Sequence, residues 1–224
     1  MFFIIFSAEL IFLFIASRFI VKMFSSFLLR FTKSKKITIW ILSLLFLPGT
    51  FIHELSHYVS ALSLFVNVGK FNLTPRIEVE HVTLGSVHIE KTDPIRRFLI
   101  GASPFLFGMI IICAVPFYIF RNENSIFPPD NVFKISIIIF TSYFLFTVAN
   151  SMFSSKKDME GSLVLLIFLA VIAVGLRFAG IEFEAVLISL VLENENVFKN
   201  LSILLLPSVI IDFMIVALGS RVKE

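Results

Sequence analysis

The chain has 224 residues, of which 58% are hydrophobic and 29 are phenylalanine, and its mean hydropathy is +0.97. Only 16% of the residues are charged, against about 25% in a typical soluble domain. This composition excludes an ordinary soluble domain and predicts a multi-pass integral membrane protein, which we expect in the cell membrane. The net charge of +3 is small and no long basic run occurs. We therefore expect the lipid bilayer, and no nucleic acid, as a partner.

Six apolar segments are long enough to cross a bilayer, which takes about 20 residues of helix. They lie at residues 2–22, 38–66, 95–120, 133–153, 162–179 and 200–219. The second segment is unusually long, and Pro48 and Gly49 predict a kink within it, because proline removes a helical hydrogen bond. The pattern predicts an all-α polytopic membrane protein with about six transmembrane helices. Lys and Arg are divided almost evenly between the two sets of connections, so charge does not orient the chain.

The connections between these segments differ in character. Residues 22–36 form a basic connection, and residues 180–199 are mixed enough to form an interfacial amphipathic helix. The longest polar connection, 68–94, contains RIEVEHV and SVHIEK, in which apolar and polar residues alternate. This alternation predicts two short strands between helices two and three, for which a surface hairpin is the simplest interpretation.

His53, Glu54 and His57 interrupt the second apolar segment in FIHELSHYV. A charge at the centre of a membrane helix costs about 2.5–3.5 kcal/mol, so such a cluster needs a compensating interaction. On a helix, His53 and His57 share one face, and together with Glu54 they match the H-E-x-x-H pattern of zinc enzymes. Two imidazoles bind the metal, and the glutamate reaches the bound water as a general base. The residues therefore predict one Zn²⁺ per chain, with Glu54 as the catalytic residue.

A catalytic zinc needs a third protein ligand and one open position for water. The candidates are histidines and acidic residues that follow the motif, namely His81, His88, Asp93, Asp130, Asp158 and Glu160. The two histidines lie in the expected hairpin and are more typical of a surface, and Asp93 and Asp130 flank turns. Asp158 follows the fourth apolar segment in SSKKDMEG, for which a simple polar loop is an equally good interpretation.

The HELSH pattern on a membrane helix, with Asn150 and Asp158 two apolar segments further on, resembles the site-two protease family of intramembrane zinc metalloproteases. That family pairs H-E-x-x-H with a downstream N-x-x-P-x-P-x-x-D-G motif, and the spacing from Asn150 to Asp158 fits this motif. The resemblance implies that Asp158 joins His53 and His57 as a zinc ligand and that Asn150 contacts bound substrate. It also implies a catalytic core at residues 38–161, made of three transmembrane helices and a hairpin at 70–91.

The sequence departs from the family motif at several positions. Phe153 and Ser155 stand in place of the two prolines, and two residues separate Asp158 from Gly161. Glu160 therefore remains a rival for the third ligand. Outside the core, residues 1–37 form an N-terminal transmembrane helix with its basic connection, and residues 162–224 supply two C-terminal transmembrane helices.

The pattern and the resemblance together predict a zinc metalloendopeptidase that hydrolyses peptide bonds in or near transmembrane segments of membrane proteins. The substrate is then a transmembrane protein, and the hairpin would receive its unwound segment as an added strand. The rival prediction is a non-proteolytic membrane zinc protein, either a transporter or an inactive protease-like scaffold. Glu9 and Asp212 are the only other acidic residues well inside apolar segments, which gives a transport path little support.

Overall fold

The computed structural model of the chain describes residues 1–77, 82–121, 131–153, 158, 167, 170–172, 174–175, 177–178, 189 and 192–221. Most of these residues are helical. The elements in chain order are α1 (Phe2–Thr32), α2 (Lys35–Leu45), α3 (Leu47–Ser63), β1 (Val68–Asn72), β2 (Arg76–Ile77), β3 (Val82–Thr83), β4 (Ser86–Ile89), α4 (Pro94–Arg121), α5 (Asn131–Ser151) and α6 (Glu195–Arg221).

Four helices are long and apolar enough to cross a membrane, and they cover Phe2–Thr32, Pro94–Ile119, Val132–Ser151 and Glu195–Leu218. Helices α2 and α3 pass the same test only as a pair that is bent by 74°. The expected helical protein with membrane-length apolar helices and a small hairpin is confirmed. The described helices account for up to five spans, and the fifth predicted segment, 162–179, lies largely outside the described residues.

The break between α2 and α3 falls at Phe46, two residues before the Pro48–Gly49 step that predicts it. Pro48 lies in the first turn of α3. Backbone N–H groups in a first turn have no acceptor within the helix, so the proline removes no helical hydrogen bond there. Gly49 is required by packing, because a Cβ there would collide with the carbonyl oxygen of Thr147 in α5. The break therefore brings α3 into close contact with α5.

Helix α1 continues past its predicted end at residue 22 and stops at Thr32. Lys33 then adopts a left-handed conformation with φ of 50°, and its N–H bonds to the carbonyl of Leu29. Because α2 begins at Lys35, most of the expected basic connection is helix. The reason is apolar packing, since Phe24 and Leu28 of this stretch join the cluster around Phe46.

The strands form a nested hairpin between α3 and α4. Strand β1 pairs antiparallel with β4, and β2 pairs with β3 inside them. The strand predicted in SVHIEK is confirmed at Ser86–Ile89. This strand pairs with β1 and not with the RIEVEHV segment at residues 76–82. The structure describes only residues 76, 77 and 82 of that segment. The alternation of apolar and polar residues did not predict β1, because a register shift between Val68 and Phe71 interrupts the regular pairing of this strand.

Helices α1 and α6 run parallel to each other. At one end the amino group of Met1 lies 2.7 Å from a carboxylate oxygen of Glu195. One quarter of the way along, the Ser202 hydroxyl donates to Glu9 at 2.9 Å. Helix α5 runs in the opposite direction. Phe153, two residues past its end, packs on Phe14 of α1, whereas the earlier Phe146 clusters with the later residues Ala16 and Ile20. The apolar core lies between these three helices and α4.

Candidate metal centre

Three residues selected by the sequence pattern meet at one place. His53 and His57 lie one turn apart on α3, and Asp158 lies beyond the end of α5. Their ligand atoms all lie within 4.8 Å of one another. One carboxylate oxygen of Asp158 is 3.3 Å from Nε2 of His57, and the other is 3.6 Å from Nε2 of His53. The structure thus brings Asp158 together with two histidines that lie more than a hundred residues earlier in the chain.

Backbone carbonyls fix both imidazole rings. Nδ1 of His53 lies 2.6 Å from the carbonyl oxygen of Ser151, and Nδ1 of His57 lies 2.8 Å from that of Ile100. A carbonyl oxygen can only accept, so each Nδ1 carries a proton and donates it. In the neutral rings, each Nε2 therefore keeps a lone pair that faces Asp158. Metal-bound histidines in proteins are held in this way by a partner on the other ring nitrogen.

The unmatched atoms of this cluster fit a metal ion. Nε2 of His57 is buried and has no hydrogen-bond partner among the described residues. Two imidazole lone pairs and a carboxylate that face one another in a buried place are unfavourable unless a cation lies between them. Two imidazole nitrogens and one carboxylate are a ligand set that zinc accepts. The cluster could therefore hold one metal ion.

Helix α4 positions both sides of this cluster. Its Ile100 carbonyl accepts from His57, and the next residue, Gly101, contacts the backbone of Asp158. A Cβ at position 101 would collide with the carbonyl oxygen of Asp158. The sequence analysis did not connect Gly101 with Asp158, and the signal that could have drawn attention to it is the run of small residues Gly101-Ala102-Ser103 in α4.

Glu54 is buried on α3 between the two histidines in sequence, with 8% of its surface exposed. The backbone of Val87 in β4 lies near its carboxylate. Gly85 lies against the same side chain, because a Cβ there would be 2.8 Å from Cγ of Glu54. The hairpin therefore packs directly on the predicted general base.

Asn150 is held by its own helix and by α6. Its Nδ2 donates to the carbonyl of Phe146 and to the carboxylate of Asp212, both at 2.9 Å. The sequence analysis noted Asp212 as an acidic residue inside an apolar segment but did not connect it with Asn150, which lies 62 residues away. The predicted contact between Asn150 and a substrate stays a prediction.

The other candidate ligands take ordinary positions or lie outside the described chain. Asp93 accepts from the backbone N–H groups of Arg96 and Ile95 at 3.0 and 3.1 Å, and so caps α4. These bonds, chiefly the one from Arg96, hold the pKa of Asp93 below its usual range. His88 is exposed on β4. The remaining candidates, His81, Asp130 and Glu160, lie outside the described residues.

Comparison of the chain with known proteins identifies no relative. No protein-family model, curated protein or solved structure matches the chain. The interpretation of the candidate metal centre therefore depends on its own residues and distances.

Proposed function

We propose that the protein is an intramembrane zinc metalloprotease, a metalloendopeptidase that hydrolyses peptide bonds in or near transmembrane segments of membrane proteins. The observation that carries the proposal is the convergence of His53 and His57 on the Asp158 carboxylate, one turn from a buried glutamate. These groups lie among apolar helices of membrane length, which favours a substrate that arrives through the bilayer. The likeness of HELSH, Asn150 and Asp158 to the site-two protease motifs supports the same activity.

Two imidazole nitrogens and one carboxylate would hold the metal. The carbonyls of Ser151 and Ile100 keep Nε2 of each histidine deprotonated and directed at the site. Bound by this set, zinc would leave one ligand position open and supply a water molecule that is readily deprotonated at neutral pH.

Glu54 is the proposed general acid–base. It accepts a proton from the attacking water and later gives that proton to the leaving amine. Gly85 packs against its side chain, which restricts the orientation of the proposed base before substrate arrives. A glutamate in this role accounts for the presence of a buried carboxyl group on α3 that is not one of the three ligands.

The hairpin is the proposed route by which substrate reaches Glu54. A transmembrane helix satisfies its backbone amides internally and must unwind before hydrolysis. The β1–β4 sheet has two strands, and β4 lies beside Glu54 through Gly85 and Val87. An unwound segment added to this sheet would therefore lie close to the proposed general base.

The test is zinc analysis of the purified protein, combined with cleavage of a panel of synthetic transmembrane segments in liposomes. We expect about one zinc per chain and cleavage of at least one segment. Zinc without any cleavage would assign the rival function, a non-proteolytic membrane zinc protein. A water-soluble peptide cleaved as fast as the transmembrane segments would place the site at the membrane surface instead.

A further inference from the structure

The interface between α5 and α6 contains a second polar group of residues, outside the metal centre. Asp212 is fully buried in α6, and Asn150 is 8% exposed in α5. Nδ2 of Asn150 donates to Oδ1 of Asp212 at 2.9 Å. The remaining oxygen of each group, Oδ1 of Asn150 and Oδ2 of Asp212, is buried and has no hydrogen-bond partner in the described part of the chain.

The orientation of the Asn150 amide follows from its two partners. The atom assigned as Nδ2 lies 2.9 Å from both the Phe146 carbonyl and the Asp212 carboxylate. A carbonyl oxygen only accepts, so this atom must be the nitrogen, and both of its protons are used. The unmatched atom of Asn150 is therefore an acceptor that lacks a donor.

No positive charge compensates for an ionised Asp212 within the described chain. Helices α1, α4 and α5 pack against α6, and among the described residues Asn150 is the only polar side chain that interacts with Asp212. The ionisable groups in the inner turns of these helices have other partners or no charge: Glu9 with Ser202, Arg18 over the ring of Phe14, Tyr143 with the Leu45 carbonyl, and the Cys113 thiol. The remaining lysines and arginines of α1, α4 and α5 are the exposed Lys22 and residues of the end turns, namely Arg30, Arg96, Arg97, Arg121 and Lys134. An ionised carboxylate in this place would be uncompensated, which is strongly unfavourable in apolar surroundings.

We propose that Asp212 and Asn150 form a buried proton-binding site. A single proton on Oδ2 of Asp212, donated to Oδ1 of Asn150, provides partners for both unmatched oxygens and removes the buried charge. An acid and an amide can then share two hydrogen bonds, one in each direction. Through these two hydrogen bonds, the acid–amide pair links α6 to the last turn of α5.

The pair lies next to the metal centre along the backbone. Asn150 precedes Ser151, whose carbonyl accepts from His53. While the pair is closed, every polar atom of the Asn150 side chain has a partner. A contact between Asn150 and a substrate, which rests on the proposed function, then requires the proton to leave, because the ionised carboxylate no longer donates to the amide oxygen.

A monovalent cation is the rival occupant of this place. It would take oxygen ligands from Asp212 and Asn150, and from Ser208, whose hydroxyl is also buried and unpartnered one turn earlier on α6. Three oxygens from the described residues are few for a cation, whereas a proton needs only the two that already belong to a hydrogen-bonded pair. The observations therefore favour the proton.

Three variants test the proton site without using zinc or a substrate. Asp212→Asn keeps the size and can form the same two bonds without a titrating proton. Asp212→Leu removes both bonds. The double variant Asn150→Asp with Asp212→Asn exchanges the acid and the amide and so restores the pair.

We expect the infrared spectrum of the wild-type protein in detergent near pH 7 to contain the carbonyl band of a protonated carboxylic acid. The band should be absent from Asp212→Asn and present in the exchanged double variant. Asp212→Asn should unfold within about 2 °C of the wild type, and Asp212→Leu about 5 °C lower. Because the folded chain holds a proton that the unfolded chain releases, wild-type stability should fall as pH rises, and that of Asp212→Asn should not.

Each of three results would overturn the proton site. The first is an infrared spectrum in which wild type and Asp212→Asn have the same acid carbonyl band. The second is a loss of stability in Asp212→Asn as large as that in Asp212→Leu. The third is stabilisation of wild type, but not of Asp212→Asn, by sodium chloride over choline chloride, which would assign a cation. If Asp212→Leu does not fold, the other two variants still decide the matter, and none of the results depends on proteolysis.

Discussion

The two histidines of the metal centre depend on backbone atoms for their chemistry. His53 and His57 can bind a metal through Nε2 because the carbonyls of Ser151 and Ile100 hold a proton on each Nδ1. Those carbonyls belong to α5 and α4, so the tautomers are set by the packing of three helices. A hydrogen bond from a ring to a backbone carbonyl leaves no signature in a sequence, since any residue type can supply the acceptor.

Removing a ligand should remove the metal. His53→Ala and Asp158→Ala should lower the zinc content of the purified protein well below one per chain, because each deletes a ligand of the proposed set. His88→Ala is the matched control, since His88 is exposed on β4 and belongs to no cluster. Zinc content would be measured by elemental analysis. Unchanged zinc in Asp158→Ala would move the third-ligand role to another residue such as Glu160.

The sequence determines part of this site and leaves the rest open. The four-residue spacing of His53 and His57 on one helix face fixes two ligands and the glutamate beside them. Asp158 follows only from the resemblance to a known motif, because a carboxylate in a polar loop has no periodicity to distinguish it. The pairing of Asn150 with Asp212 depends on how α6 docks on α5, and no local pattern encodes that docking.

At the scale of elements, α4 controls the position of Asp158 through one glycine. Gly101→Ala should displace Asp158, because the added methyl would collide with its backbone carbonyl. We expect zinc affinity to fall by about 10–100-fold, as when the support of a metal ligand is lost elsewhere. Gly175→Ala is the control, since a Cβ there meets no atom of the described residues within 4 Å. Equal zinc affinity in the two variants would contradict the role assigned to α4.

The hairpin should matter for activity rather than for metal binding. Gly85→Val would press against Glu54 and Thr50, because even a Cβ at this position lies 2.8 Å and 3.0 Å from their side chains. We expect cleavage of a transmembrane peptide to drop by at least about tenfold while zinc content stays unchanged. Gly69→Ala in β1 is the control, because the three heavy atoms nearest to its Cβ all belong to the exposed His88 and none to Glu54. Full cleavage by Gly85→Val would contradict a role of the hairpin in positioning the general base.

The break in the second span was predictable, and the strand pairing was only partly so. Pro48 and Gly49 mark the break because one lacks an amide proton and the other allows close helix contact. Strand β4 alternates as expected, but its partner β1 contains the register shift between Val68 and Phe71. Local alternation therefore identified one strand of the main pair and missed the other.

At the scale of the whole molecule, the direction of α6 determines on which side of the helix bundle Arg221 lies. Because α1 and α6 are parallel, the ends of the two helices at Lys33 and Arg221 lie on the same side of the bundle. Six consecutive single crossings would instead place these two ends on opposite sides. The described helices therefore favour an odd number of crossings from α1 to α6.

Labelling with a membrane-impermeant maleimide tests this topology. In a Cys113→Ala background, Lys35→Cys and Arg221→Cys should react from one side of the membrane, and Glu193→Cys from the other. Lys35 begins α2 three residues after the end of α1, Glu193 lies two residues before α6, and Arg221 ends α6; Cys113 is the only native thiol. Labelling of Glu193→Cys and Lys35→Cys from the same side would contradict the parallel arrangement.

Cleavage by matched wild type and Glu54→Gln tests the central claim most directly. Both proteins would be reconstituted in liposomes at equal zinc content with the synthetic transmembrane segment that the wild type cleaves fastest. Because the substitution removes the proposed acid–base while leaving all three ligands, we expect both to hold about one zinc and the variant to cleave about 10²–10⁴-fold more slowly. Undiminished cleavage by Glu54→Gln, with zinc still bound, would contradict the account.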